Sequence, residues 1–315
     1  MLVKGRRVVS ALLFFLIGGL ALTSETQITA QKVGDQKSTV VFCVSSYGAA
    51  ENAIEPILNI EAGKWSNPVA GDSDASELTE FASKFYGSGQ KYRLLFGGGD
   101  AGVVAVNKAT SDSECFRTGA LVKVSARPPI KLNRNVMALA TNSNSLGKVK
   151  NSRRAPTAAE RAEAIRLAKK VYGAKGTPTA VLSTLEVVNL TSMDLDMDGK
   201  AEMIGTFVVK KTGKGAARYV LFMIAEMQGQ NYRAALGNYE QFTSKDIMSG
   251  GSLDSVGSDG IYTERLVDQL DVDSDGTGEV ISITNGFEGV TFKIYSRKAG
   301  TWQSVYEFAS YRCAF

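Results

Sequence analysis

The chain has 315 residues, 44% of them hydrophobic and 22% charged, which excludes a disordered polar chain and a polytopic membrane protein and leaves room for two ordinary domains. Its 36 Lys and Arg against 32 Asp and Glu give +4, but Lys4, Arg6 and Arg7 stand in the first 30 residues against Glu25 alone, so the remainder is close to neutral and gives no reason to expect nucleic acid. The absence of histidine removes Ser-His and Cys-His nucleophiles, His-ligated zinc and the imidazole base, and leaves carboxylate pairs, Ser-Lys nucleophiles and oxygen-ligand metal sites.

The three early basic residues precede an apolar run from Val8 to Leu22, and small or polar residues follow it. This reads as a secretory signal over 1–30, cut after Ala30 or Ala21. The run is shorter than the roughly 20 residues of a membrane-spanning helix, so the expectation is an exported protein, periplasmic or extracellular, with no stable membrane insertion after processing. In such a compartment Cys43, Cys115 and Cys313 can form one disulfide. Cys43 with Cys115 is favoured because both fall in the first half of the mature chain; alternatively Cys43 is a small buried residue in a strand.

From 31 to 140 the pattern predicts a β-rich domain. Thr39 to Ser45, Ile54 to Ile60, Lys91 to Phe96, Val103 to Asn107 and Ala120 to Ser125 are short runs rich in Val, Ile and aromatics. One helix interrupts them, with Asp74 and Glu77 at capping-box spacing and Leu78, Phe81, Ala82 and Phe85 on one face. Gly97 to Gly102 satisfies G-x-G-x-x-G after a strand, but the β-branched Val103 to Val106 follows where a dinucleotide site needs a helix, so the motif reads as a hairpin connection. The polar stretch Thr141 to Arg154, with Lys148, Lys150, Arg153 and Arg154, reads as a solvated linker. A second helix follows Pro156, with Thr157 and Glu160 as its capping box and Ala158, Ala162, Ile165, Ala168 and Tyr172 on its packing face. Linker and capping helix together occupy 141–176.

The domain at 177–315 contains an internal repeat. Asp194, Asp196, Asp198, Gly199 and Glu202 stand at the same offsets as Asp271, Asp273, Asp275, Gly276 and Glu279. After each loop come strands (Met203 to Lys210 and Arg218 to Met227; Val280 to Thr284 and Val290 to Ser296), then a glycine turn and a third strand with Tyr232 or Trp302 near its start. A tight loop turns alternate carboxylates inward, and the glycine permits the turn. Carboxylates so crowded repel one another unless a hard cation neutralises them, and a flexible all-oxygen cage suits calcium better than magnesium. Backbone carbonyls of Lys200 and Thr277 would add a ligand each, and Glu202 and Glu279 would close the shells.

The loops resemble the Asp-x-Asp-x-Asp-Gly-x-x-Asp/Glu calcium loops of FG-GAP and VCBS repeat proteins, bacterial relatives of the integrin propeller blades. The resemblance implies two blade-like β-modules, each holding a structural Ca2+. An EF-hand would need Glu at the twelfth position, where the chain has Gly205 and Ser282. The expected fold class is thus mainly β with two helices. The expected role is an exported calcium-binding protein, non-catalytic, that binds a protein or carbohydrate ligand or serves a structural purpose. The alternative is a secreted hydrolase using Asp/Glu or Ser-Lys chemistry, with calcium as a structural ion and a deep cleft holding a carboxylate of raised pKa.

Overall fold

The run from Val40 to Val44, inside the strand Thr39–Tyr47, is apolar without alternation because both of its faces are covered. The computed structural model describes residues 38–48, 51–248, 251–258 and 260–313; the signal segment and its cleavage points lie outside them. In this first strand, β1, Val40, Phe42 and Val44 enter one apolar cluster while Val41 and Cys43 enter another. The strands that follow are β2 (Glu51–Glu61), β3 (Lys64–Ser66), β4 (Lys91–Phe96), β5 (Gly99–Ala109), β6 (Ala120–Ala126) and β7 (Ala138–Thr141). The order β1-β7-β4-β5-β6-β2 returns to β1, so six antiparallel strands close a barrel and β3 extends the rim of β2. Closure leaves those six strands without a free edge.

The barrel cluster is built by Val40, Phe42, Val44, Ile54, Leu94 and Val104 among others. Helix α1 (Ala75–Phe85) adds Phe81 and Phe85, with the ring of Phe85 6.4 Å from that of Phe42. Asp74 is its N-cap residue, but its side chain makes no cap hydrogen bond, so the predicted capping box is absent there. Helix α2 (Ala158–Ala174) has the full box: Glu160 N donates to Thr157 Oγ1 at 3.2 Å and Thr157 N to Glu160 Oε2 at 2.7 Å. Its buried face is Ala164, Leu167, Ala168 and Tyr172, whereas Ala158 and Ala162 are exposed. The predicted face is therefore corrected by a rotation, because Leu167 and not Ala158 meets the sheet beneath.

The remaining strands form two four-stranded antiparallel meanders. The first comprises β8 (Glu186–Met193), β9 (Glu202–Lys211), β10 (Ala217–Gln228) and β11 (Asn231–Thr243); the second comprises β12 (Glu264–Leu270), β13 (Glu279–Asn285), β14 (Gly289–Lys298) and β15 (Thr301–Tyr311). Each gains a strand ahead of its acidic loop that the sequence pattern did not show. Helix α2 covers the first meander, where Tyr172 OH donates to the carbonyls of Phe207 and Tyr219. Ile204, Phe222 and Ile224 of the first meander pack with Leu266, Val280 and Tyr295 of the second. The fold is mainly β.

The second meander shares its other face with the barrel. Val41, Cys43, Leu58 and Leu139 lie in one cluster with Val267, Ile281, Phe292 and Phe308. The boundaries at 140 and 176 fall inside one compact unit that contains all the described residues. The stretch expected to be a solvated linker is stitched into this seam. Lys148 and Lys150 are exposed, but the Arg153 side chain is only 4% exposed and lies 3.2 Å from Asp268, itself fully buried. Gly97 N donates to the same carboxylate at 2.8 Å. The β4–β5 hairpin turn needs its glycines because residues 149–153 lie on it: a Cβ at Gly97 would stand 1.9 Å from Asn151 Oδ1, and one at Gly99 2.6 Å from the Val149 carbonyl. A turn so covered leaves no room for a phosphate.

The disulfide joins Cys115 to Cys313, not Cys43 to Cys115. The barrel turns Cys43 into the seam, where it is buried and free, and burial, reinforced by Glu55, pushes its thiol up to about 12. Beside the disulfide Arg312 pairs with buried Glu55 and lies over the Phe116 ring.

Candidate functional site

The two acidic loops join the first and second strands of their meanders, at 194–201 and 271–278. Both make the same bend: Met197 and Gly199 have φ of 58° and 85°, and Ser274 and Gly276 have φ of 61° and 89°. A left-handed residue four positions into each loop, and a glycine at the sixth, turn the chain back so that its later amides meet the carboxylate at its first position. Gly199 N donates to Asp194 Oδ2 at 3.0 Å, and Gly276 N to Asp271 Oδ2 at 3.2 Å. The glutamate at the start of the next strand completes the ring, with Leu195 N donating to Glu202 Oε2 and Val272 N to Glu279 Oε2, both at 2.8 Å.

Carboxylate oxygens of Asp194, Asp196 and Glu202 lie within 4.8 Å of one another, and so do those of Asp271, Asp273 and Glu279. Asp198 and Asp275 stand outside these triads and accept from the amides of Lys200 and Thr277 at 2.8 and 2.9 Å. Burial pushes the Glu202 carboxyl up to about 7, and Asp196 and Asp194 add to the rise against the Leu195 amide. Burial pushes Glu279 up to about 7 as well, with Asp273 and Asp275 adding and the Val272 amide opposing.

The donors are all hard oxygens, and Asp271 Oδ1 is a buried oxygen without a hydrogen-bond partner, so the residues present fit a calcium-sized cation. Asp194, Asp196 and Glu202 would hold one ion and Asp271, Asp273 and Glu279 the other. Such an ion supplies fixed positive charge that keeps the carboxylates ionised and the loop closed.

The loops face different surroundings. Lys298 Nζ lies 2.6 Å from Asp273 and 3.3 Å from Asp275. The preceding Arg297 lies 3.4 Å from Asp196 and 3.2 Å from Glu226. A cavity of about 240 Å3 opens at the first loop, lined by Asp196, Asp198, Glu202, Glu226, Thr277 and Arg297. Glu226 is a site residue that sequence reasoning missed. Its signal was a single acid in the apolar run Val220 to Met227, and it is buried under Arg233, Arg297 and the Trp302 Nε1 donor at 3.1 Å. A second space, of only about 10 Å3, lies between the loops and is lined by Leu195 and Met197 of the first and Asp271 and Gly278 of the second.

No protein family, no curated protein and no solved structure matches this chain. Among the described residues no helix is long and apolar enough to cross a membrane.

Proposed function

We propose that the protein is an exported calcium-binding protein with a non-catalytic binding or structural role, each acidic loop holding one Ca2+. The observation that carries the reading is that two loops of equal spacing bring three carboxylates each to within 4.8 Å and bury the last of them. One loop of this kind is an ordinary acidic turn; two with the same backbone and the same glutamate-to-amide closure argue for a shared ligand. The kinship with FG-GAP and VCBS repeats is proposed on these loop residues. The ligand of the whole protein is proposed to be a protein or carbohydrate, with no nucleic acid.

Calorimetry on chelator-treated protein should give two calcium sites and a much weaker response to magnesium. Asp196→Asn and Asp273→Asn should each remove one site. No calcium heat, or an equal response to both metals, would overturn the reading. Export is tested by sequencing the N-terminus of secreted protein, which should begin near Gln31 or Leu22.

The hydrolase reading has one observation on its side, a cavity that contains Glu202 with its raised pKa. Glu279 carries the same rise from the same causes, burial at the start of its strand and the aspartates of its loop, so the rise recurs with the loop and does not single out a cleft. Release of reducing ends or peptides by the pure protein, abolished by Glu226→Gln, would restore that alternative.

A further inference from the structure

The two loops are not separate turns on separate sheets. Gly278 N donates to the Leu195 carbonyl at 2.7 Å, a backbone hydrogen bond from the second loop to the first. Both ends of this bridge sit inside the cages. Leu195 lies between Asp194 and Asp196, and its own N–H is the donor that fixes Glu202. Gly278 lies next to Glu279, and Thr277 before it lines the cavity of the first loop. Position 278 also has no room for a side chain, since a Cβ there would stand 2.0 Å from Gln269 Oε1. The first loop carries Ala201 at the same offset, and among the described residues no reciprocal backbone hydrogen bond runs from it to Val272.

We infer that the two sites bind calcium with positive cooperativity through the Leu195–Gly278 hydrogen bond, an inference that rests on the calcium reading above. Filling the first loop fixes Asp194, Asp196 and Glu202, and with them the Leu195 peptide between them. A fixed Leu195 carbonyl holds the Gly278 amide, and hence the start of Glu279, in place before the second ion arrives. The ordering that the second loop would otherwise need on binding is then partly complete, which raises its affinity. Repulsion between the two ions works against this gain, because each bound ion cancels two of the negative charges that would attract the other. Salt near 0.15 M screens exposed charges beyond about 8 Å.

The test is a calcium titration of the full mature chain in 150 mM KCl, following heat and amide resonances together. Asp273→Asn gives the affinity of the first site alone, Asp196→Asn that of the second, and the wild type gives the product for both. The product is expected to exceed that of the isolated sites by about fivefold or more, since coupling between sites commonly spans about 5- to 150-fold. Gly278→Ala, which keeps every ligand but drives a methyl group against Gln269, is expected to keep two sites and bring the factor to one. In Asp273→Asn, where only the first loop fills, the Gly278 amide resonance should still shift with calcium, a readout that needs no variant of the bridge. A factor of one or below in the wild type, or an unmoved Gly278 resonance, overturns the coupling while leaving both sites intact. No calcium binding by the wild type would instead remove the calcium reading itself.

Discussion

Carboxylates gather in two neighbouring regions of this molecule, and their surroundings differ. At the seam between barrel and second meander, buried Asp268 meets Arg153 at 3.2 Å, the Gly97 amide at 2.8 Å and the Gln269 amide at 2.9 Å. The Arg153 guanidinium is used up in turn, donating to the carbonyls of Met137 and Val267 at 2.9 Å. In the acidic loops, by contrast, acids outnumber nearby cations and Asp271 Oδ1 is buried without a partner. The seam is a closed set of charges and donors; the loops have negative charge left over. Local charge balance separates a carboxylate that joins two parts of a fold from one whose charge is left uncompensated.

The largest effect that would test this contrast is Arg153→Ala. Removing one partner of a buried pair strands the other, and about 3–5 kcal/mol of stability should be lost, read by denaturant unfolding. Calcium heats per folded molecule should be unchanged. If they fell together with stability, seam and loops would not be the distinct regions drawn here.

Next in size is calcium itself. An ion that binds only the folded state adds about 2.7 kcal/mol per site at a hundredfold excess over Kd. Because barrel and second meander share one cluster, scanning calorimetry should show a single transition that calcium raises and chelator lowers, and Asp196→Asn should shrink the shift. Two transitions, only one of them calcium-sensitive, would divide the unit instead.

An effect of similar order is expected with pH. Glu202 and Glu279 are raised to about 7 in the folded chain from an ordinary value of 4.5. The folded state therefore holds more protons than the unfolded one between those values, so chelator-treated protein should lose stability as pH climbs from about 4.5 to 7. With calcium present the carboxyls stay ionised and that loss should vanish, while calcium binding below pH 7 should release protons. Thermal melts at pH 5 and pH 7.5, with and without calcium, check the sign.

The smallest effect concerns Lys298, whose ammonium competes for Asp273 and Asp275 at the second loop. An exposed pair contributes about 0.2–1 kcal/mol, so Lys298→Met should tighten the second site by about 1.4- to fivefold and leave the first nearly unchanged. Calorimetry in the Asp196→Asn background isolates that site.

The loops were legible as turns because their chemistry is local: nine residues fix the spacing, the bend and the convergence of three carboxylates without help from the rest of the fold. Strand content was legible for the same reason. What escaped depends on distant partners. Arg153 looked like a linker charge because Asp268, in the wholly buried β12, lies 115 residues further along the sequence. Nearness in sequence misjudged the disulfide, since Cys115 and Cys313 are separated by 198 residues and are brought together only by the packing of β15 near the barrel. Glu226 needed the tertiary view as well, because its strand reads as plain core until Trp302 and Arg297 arrive from the second meander.

The disulfide also determines how the chain would carry a mechanical load. Cys313 stands just past the end of β15, and its bond leads to Cys115, ahead of β6 in the barrel. A pull applied beyond Cys313 would otherwise peel β15 from β14 one hydrogen bond at a time. With the bond in place the force passes directly into the closed barrel, and β15 bears none of it. Reduction would move the point of yield to β15, turning a tether that must shear a barrel into one that unzips.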